Sequence, residues 1–270
     1  MKIIDTFPFF NELTLLDLRL NILDNYVDEF ILVEATHSHQ NKPKPLFYND
    51  NKHLFEKFNH KIKHIIIDTF PEYTYWSHET YQRDYIGKCL DNLQEDDIIF
   101  ISDLDEIWSP KEIYPLLKDI DNRTIYRWQS LICYFYFNLI AWPHNWIQPM
   151  FMKYSLLDKL QKEGYSISVD MLRGRDQSSK PQIQNQIIDG IKGWHFSYTE
   201  DPIYKLQNFL HSEYSNMSLQ ELEHSITNGI NPFHKHCQMR PITTSQLNSF
   251  LPEYVLQNLE KYKHKIIFRD

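Results

Sequence analysis

The stretch from residue 96 to residue 107 constrains this chain more than any other. Ile98, Ile99, Phe100 and Ile101 form a short apolar run, with Asp96 and Asp97 before it and Asp103, Asp105 and Glu106 after it. A run that is apolar at every position, not at every second one, predicts a strand buried on both faces, as in a parallel sheet covered by helices. In open α/β sheets, ligands bind just outside the carboxyl ends of the strands. Three carboxylates gathered there suit a hard divalent cation, which takes oxygen ligands. A solvated acidic turn after a buried strand is the other reading of the same residues.

The residues before this stretch supply the rest of a sheet. Residues 2–6 read as a strand and residues 12–23 as a helix, with Asn11 as N-cap and Leu13, Leu16, Leu20 and Leu23 on one stripe. Residues 30–34 read as a second strand. A helix at 50–58, a strand at 61–68, an aromatic loop to Trp76 and a helix at 77–93 then complete a βαβαβαβ order. That order is the signature of a mostly parallel sheet with helices on its faces. On the last helix, Glu79 and Arg83 fall on the stripe of Ile86 and Leu90, which points them at the rim where the acidic strand ends. An inward Arg at such a rim suits a diphosphate, by its fixed fork of donors. Asp5, Glu34 and Asp68 each close an apolar run, and at least one is expected to bond a ribose hydroxyl or a base N–H. Neither GxGxxG nor GxxxxGK[ST] occurs. A bound diphosphate would therefore be met by a metal and basic side chains, not by a glycine-rich loop.

Beyond residue 110 the pattern changes. Residues 124–151 are rich in Trp, Tyr and Phe and predict antiparallel strands lining a groove suited to sugar rings, with core packing accounting for most single residues. Residues 170–186 read as a polar loop, and residues 190–198 as a strand holding Gly193-Trp194-His195-Phe196-Ser197. Asp201-Pro202 and the Ser218/Glu221 capping box each open a helix, and Leu251-Pro252 opens a last one to about residue 263.

A net charge of −8 with no Lys/Arg-rich block excludes a nucleic-acid partner, which needs a concentrated basic face. The three cysteines lack CxxC spacing and read as reduced thiols, not as a disulfide frame or a zinc site. Asp5 and Pro8 interrupt any signal-peptide core, and no window holds the roughly 18–20 apolar residues a membrane span needs. The expectation is a soluble, cytoplasmic chain with no transmembrane segment.

Several ordered blocks resemble glycosyltransferase family 17. They are Ile4-Asp5-Thr6-Phe7 with Asn11-Glu12-Leu13, Leu16-Asp17-Leu18-Arg19-Leu20, Val27-Asp28-Glu29-Phe30 to Val33-Glu34, and Lys42-Pro43-Lys44-Pro45-Leu46. Trp76 with Arg83, Ser102-Asp103-Leu104-Asp105-Glu106-Ile107, Gly193-Trp194-His195-Phe196-Ser197 and Leu251-Pro252-Glu253-Tyr254 follow in family order. The resemblance implies a single GT-A-like α/β domain over residues 1–270. Residues 1–120 would form its nucleotide-sugar-binding half, with a mostly parallel sheet, and residues 121–270 a smaller mixed acceptor-binding half.

It also implies transfer of a sugar, foremost N-acetylglucosamine, from a UDP-sugar to a hydroxyl of a glycan acceptor with inversion. Asp105, helped by Asp103 and His195, would hold Mn²⁺ or Mg²⁺, and Asn11, Glu34, Arg83 and Asp103 would contact the nucleotide sugar. The attacking hydroxyl needs a general base, for which Glu106 and Asp170 are both candidates. Two rival classes are a phosphohydrolase using the DxD as nucleophile and a non-catalytic carbohydrate-binding protein built on the aromatic segment. The phosphohydrolase pattern wants DxDG[TS] after an early strand, whereas here Glu106-Ile107 follows the fourth.

Overall fold

The structure, a computed structural model, describes residues 1–70, 78–163, 172–173, 183–208, 214, 216–234 and 236–268, with His144 as backbone alone. Four strands of the first half pair in parallel in the order β4-β1-β2-β3: β1 (Ile3–Phe9), β2 (Glu29–Ala35), β3 (Ile62–Ile67) and β4 (Ile98–Ile101). β1, β2 and β4 are buried along almost their whole length, which is why their apolar runs are continuous. On one face, Phe7, Phe30 and Phe100 pack with the leucines of α1 (Leu13–Leu23). On the other, Ile4, Ile31 and Ile99 pack with Leu156, Leu157 and Leu160 of α5 (Tyr154–Lys162). The chain steps outward from β1 to β3 and then crosses back to the far side of β1 to form β4. The crevice between the carboxyl ends of β1 and β4 is thus a topological switch point, the place where such sheets bind ligands. Pro8, which has no N–H to give, sits past Thr6, the last β1 residue paired with β4.

Two helices of the first half differ from the sequence expectation. The helix expected at 50–58 is α2 (Phe47–Asp50) followed by a 3₁₀ segment, Lys52–Phe58, with breaks at Asn51 (φ −118°) and Phe55 (φ −117°). The described part of the one expected at 77–93 is α3 (His78–Tyr85) and a 3₁₀ turn, Ile86–Lys88. The turn contains Gly87, a weak helix former, and Asn92 beyond it has φ 58°.

The second half adds β5 (Glu106–Trp108), α4 (Pro110–Ile113), β6 (Thr124–Tyr134), β7 (Leu139–Trp146), β8 (Met150–Lys153), β9 (Gln184–Ser197), α6 (Pro202–Asn208), α7 (Leu219–Thr227) and β10 (Gln238–Pro241). The result is a mixed α/β structure on a ten-stranded sheet. β6, β7 and β8 are the antiparallel strands the aromatic segment predicts. Most of its rings build core, as expected for single residues of this segment. Phe151 stacks on Phe100 at 4.9 Å and on Tyr126 at 5.4 Å, and Trp128 packs beside them. The last helix is split at Asn258 into Glu253–Gln257 and Leu259–Tyr262.

β8 is antiparallel to both β4 and β6, so β6 runs in the direction of β4, and β9 lies parallel to β6. The carboxyl ends of β1, β2, β4, β6 and β9 therefore face one side of the sheet. β5 folds back antiparallel on β9 and sets Glu106 opposite His195 and Trp108 opposite Gly193. Only glycine fits at 193, because a Cβ there would lie 2.5 Å from the Ile107 carbonyl oxygen and 2.8 Å from Trp128 Nε1. Among the described residues, no helix is long and apolar enough to cross a membrane.

Candidate active site

The loop that follows β4 is shaped by a buried arginine. Arg19, on the apolar face of α1, is fully buried and donates to both carboxylate oxygens of Asp5, at 2.7 and 2.8 Å. It also donates to Ser102 Oγ and to the backbone carbonyls of Asp103, Leu104 and Glu106, at 2.7, 2.8, 3.1 and 3.1 Å. One guanidinium thus ties β1 to the backbone that carries all three acidic side chains.

Each of those acids meets a cation from a distant part of the chain. Asp103 accepts from Arg83 at 2.9 and 3.0 Å and from Arg173 at 2.6 Å, and Arg83 also binds Glu79 at 2.5 Å. Burial alone would raise the Asp103 carboxyl, but the two guanidinia override it and hold it well below the usual carboxylate range. Glu106 is fully buried and accepts from Arg173 with both oxygens, at 2.7 and 2.9 Å. It accepts further from Trp146 Nε1 and from the Asp103 backbone N–H. Burial pushes its pKa up to about 7 against the pull of Arg173, with Asp103 and Asp105 adding to the rise.

Asp105 accepts from Lys205 at 3.1 Å through Oδ2, while its Oδ1 lies 3.6 Å from His195 Nε2. Lys205 also donates to Glu12 at 2.8 Å. Burial opposes the Lys205 charge, but Asp105 and Glu12 outweigh it and hold the pKa well above the usual value. Burial lowers the pKa of His195 despite Asp105, so the neutral imidazole is favoured. Its Nδ1 is buried with no hydrogen-bond partner among the described residues.

These groups open onto a cavity of about 610 Å³ at the carboxyl ends of the strands. Phe9, Phe10, His39 and Gln82 line it on the side of β1 and β2, and Gln82 is fixed there by donating to the Phe9 and Val33 carbonyls. Glu12, Glu79, Asp103 and Asp105 face Arg83, Arg173 and Lys205 across it. Four carboxylates against three cations leave the described lining at formal charge −1, and Glu106 behind it makes −2.

The structure brings Arg83, Asp103, Asp105 and His195 together at this cavity. Glu106 stands directly behind it. Asn11 and Glu34 do not line it. Asn11 has its Oδ1 buried without a partner among the described residues. Glu34 accepts from the backbone N–H groups of Tyr48 and Asn49 at the start of α2 and lies 3.0 Å from His64 Nε2. Asp5 is consumed by Arg19 and Asp68 is exposed, so neither strand-end acid reaches the cavity. Asp170, like Trp76, lies outside the described residues.

Sequence reasoning missed Arg19, Arg173, Lys205 and Glu12. A charge set among Leu15, Leu16, Leu18 and Leu20 was a local signal for Arg19, because a buried charge needs a partner. Arg173 and Lys205 carry no local signal; tertiary folding alone brings them to the motif.

The family model of glycosyltransferase family 17 matches residues 1–267. Over 115 residues, 39% of its length, the chain is 30% identical to the beta-1,4-mannosyl-glycoprotein 4-beta-N-acetylglucosaminyltransferase of Rattus norvegicus and to that of Homo sapiens. The matched part covers 21% and 22% of those proteins, so it spans about a fifth of their length. With nearly every residue inside the family match, the chain belongs to glycosyltransferase family 17.

Proposed function

We propose that the chain is a metal-dependent, inverting glycosyltransferase of GT-A type. It moves a sugar, foremost N-acetylglucosamine, from a UDP-sugar to a hydroxyl of a glycan acceptor. The observation that carries the reading is the acidic motif at the switch point between β1 and β4, inside a cavity that also presents Arg83, Arg173 and Lys205.

The donor set fits a cation. Among the described residues, no group of three His, Cys, Asp or Glu side chains is arranged to hold a metal. Asp105 and His195 nevertheless offer an oxygen and a neutral nitrogen 3.6 Å apart, which two bonds of roughly 2.0–2.6 Å can span. Two protein donors suit Mg²⁺ or Mn²⁺ in a phosphate site, where substrate oxygens and water fill the other positions. The formal −2 of the site balances one such ion. When bound, the ion supplies Lewis-acid stabilisation of the departing diphosphate.

The chain's own residues do the rest. Arg83, oriented by Asp103 and Glu79, offers planar donors to a phosphate, and Lys205, held between Asp105 and Glu12, fixes the Asp105 carboxylate. Glu106, with both oxygens held by Arg173, Trp146 and a backbone N–H, acts as the anchor that aims Arg173. Glu106 and Asp170 are the two candidates for general base.

The test is transfer from UDP-N-acetylglucosamine to glycan acceptors, with and without Mn²⁺. Asp105→Ala is expected to abolish transfer, and EDTA to remove an activity that Mn²⁺ restores. Full activity of Asp105→Ala in the presence of chelator would sink the proposal.

A further inference from the structure

The two sides of the cavity differ in chemistry. β6 ends at Tyr134 and β9 at Ser197, which are paired with each other. One residue later on each strand the backbone turns left-handed, at Phe135 (φ 67°) and Tyr198 (φ 55°). Left-handed backbone is costly for bulky side chains, and such residues cluster at binding sites where the surrounding structure holds them. Here the Phe135 N–H donates to the Ser197 carbonyl at 3.1 Å, locking the two turns together.

The turns gather rings. Tyr198 stacks on Phe233 at 4.6 Å and 17°, Tyr134 lies 5.2 Å from Phe233, and Tyr214 meets Phe233 edge-on at 5.2 Å and 84°. All four rings line the cavity that holds the acidic motif. Burial of apolar area explains why the rings cluster, and the left-handed turn at Tyr198 sets its ring on the cavity wall beside the charged motif. The Tyr198 ring lies 5.4 Å from Lys205 Nζ, the ammonium bound to Asp105, so wall and motif are adjacent.

We propose that the wall formed by Tyr134, Tyr198, Tyr214 and Phe233 is the acceptor subsite, and that it receives the apolar C–H face of a neutral pyranose. Its role as acceptor site rests on the transferase reading; its sugar-binding chemistry rests on the rings. A pyranose offers one face of axial C–H groups and a rim of hydroxyls, which matches an aromatic body beside polar groups. Charge selects the neutral sugar. Lys205 reaches within 5.4 Å of the Tyr198 ring, and Glu12 and Asp105 already hold it, at 2.8 and 3.1 Å. An anionic sugar would have to compete with two carboxylates for that ammonium.

Ligand-observed saturation-transfer NMR tests the proposal, with chitobiose, cellobiose, mannobiose and glucose 6-phosphate as probes and UDP with Mn²⁺ present. At least one neutral disaccharide is expected to respond, and glucose 6-phosphate to respond less. Phe233→Leu, which keeps an apolar side chain but removes the shared ring, is expected to weaken the response at least fivefold. Tyr198→Phe, which keeps its ring, is expected to retain it. The melting-temperature rise produced by UDP and Mn²⁺ is expected to be unchanged in both variants.

No disaccharide response in the wild-type protein, an undiminished response in Phe233→Leu, or a preference for glucose 6-phosphate overturns the proposal. An equal loss of the UDP effect in Phe233→Leu overturns it as well. Failure of the transferase reading is a separate result: the wild-type protein then shows no UDP effect while disaccharides still respond at the rings.

Discussion

Arg19 and Asp5 have side chains with no solvent exposure. Breaking a buried pair by removing one partner leaves an uncompensated charge, at a cost of about 3–5 kcal/mol. Arg19→Met should therefore destabilise the fold by that order in chemical denaturation, and more if the three freed loop carbonyls find no water. Replacing Asp5 by Leu as well should recover much of the loss, because an apolar pair of similar volume is often neutral. Asp105 predicts a different outcome. Asp105→Asn keeps the shape of the side chain but loses its charge, so transfer should fall about 10²–10³-fold, the weight of several kcal/mol of charge stabilisation. Its melting temperature should move less than that of Arg19→Met, because Lys205 keeps Glu12 as a carboxylate partner. At this scale the sequence showed the acidic motif and Arg83, which sit at a strand end and on a helix stripe. It was silent on Arg173 and Lys205, whose pairing with Asp103, Glu106 and Asp105 depends on contacts 67 to 100 residues apart.

The start of α1 is held from far away. No side chain within its own N-cap bonds its free N–H groups; instead Glu200 accepts from Leu15 N–H at 2.6 Å. Burial and the nearby Glu12 carboxylate push the Glu200 pKa up to about 7, against the pull of the Leu15 and Thr14 N–H groups. A carboxyl raised in the folded state contributes stability that is complete below its unfolded value, near 4.5, and lost as pH rises through about 7. Between pH 5 and pH 8 the wild type should lose melting temperature relative to Glu200→Gln, by a few degrees. A flat difference across that range would show that Glu200 does not titrate there.

The β5–β9 pair makes a second case. Gly193→Ala would press a methyl against the Ile107 carbonyl, so it should cost at least about 1–3 kcal/mol. It should also reduce transfer, since the same pairing sets Glu106 opposite His195. Urea denaturation and a transfer assay on one preparation check both effects. Element identity was legible wherever periodicity was strong, as in α1 and the first four strands. Helix ends were less so: Gly87 was a local stop signal left unused, and the breaks at Asn51 and Asn258 have no glycine or proline to mark them.

Across the whole molecule, the carboxyl ends of β1, β4, β6 and β9, all facing one way, turn a single sheet into two neighbouring surfaces. The β1–β4 side carries the charged groups and the β6–β9 side the rings. The βαβ alternation made the first surface readable, since it dictates parallel strands and their carboxyl ends. The second was hidden because β9 joins β6 in parallel across fifty residues of chain, and a sequence pattern does not report which strands meet. The charge balance of the first surface makes the last prediction. With a formal charge near −2, UDP alone should bind weakly, and Mn²⁺ should improve its binding by supplying the missing positive charge. At a UDP concentration ~100 times its dissociation constant with Mn²⁺ present, the added stability is about 2.7 kcal/mol, a melting-temperature rise of about 5 °C. The rise should disappear in EDTA and in Asp105→Ala. A rise of equal size in EDTA would mean that Arg83 and the other basic side chains meet the diphosphate by themselves, and the metal would have no place in the mechanism.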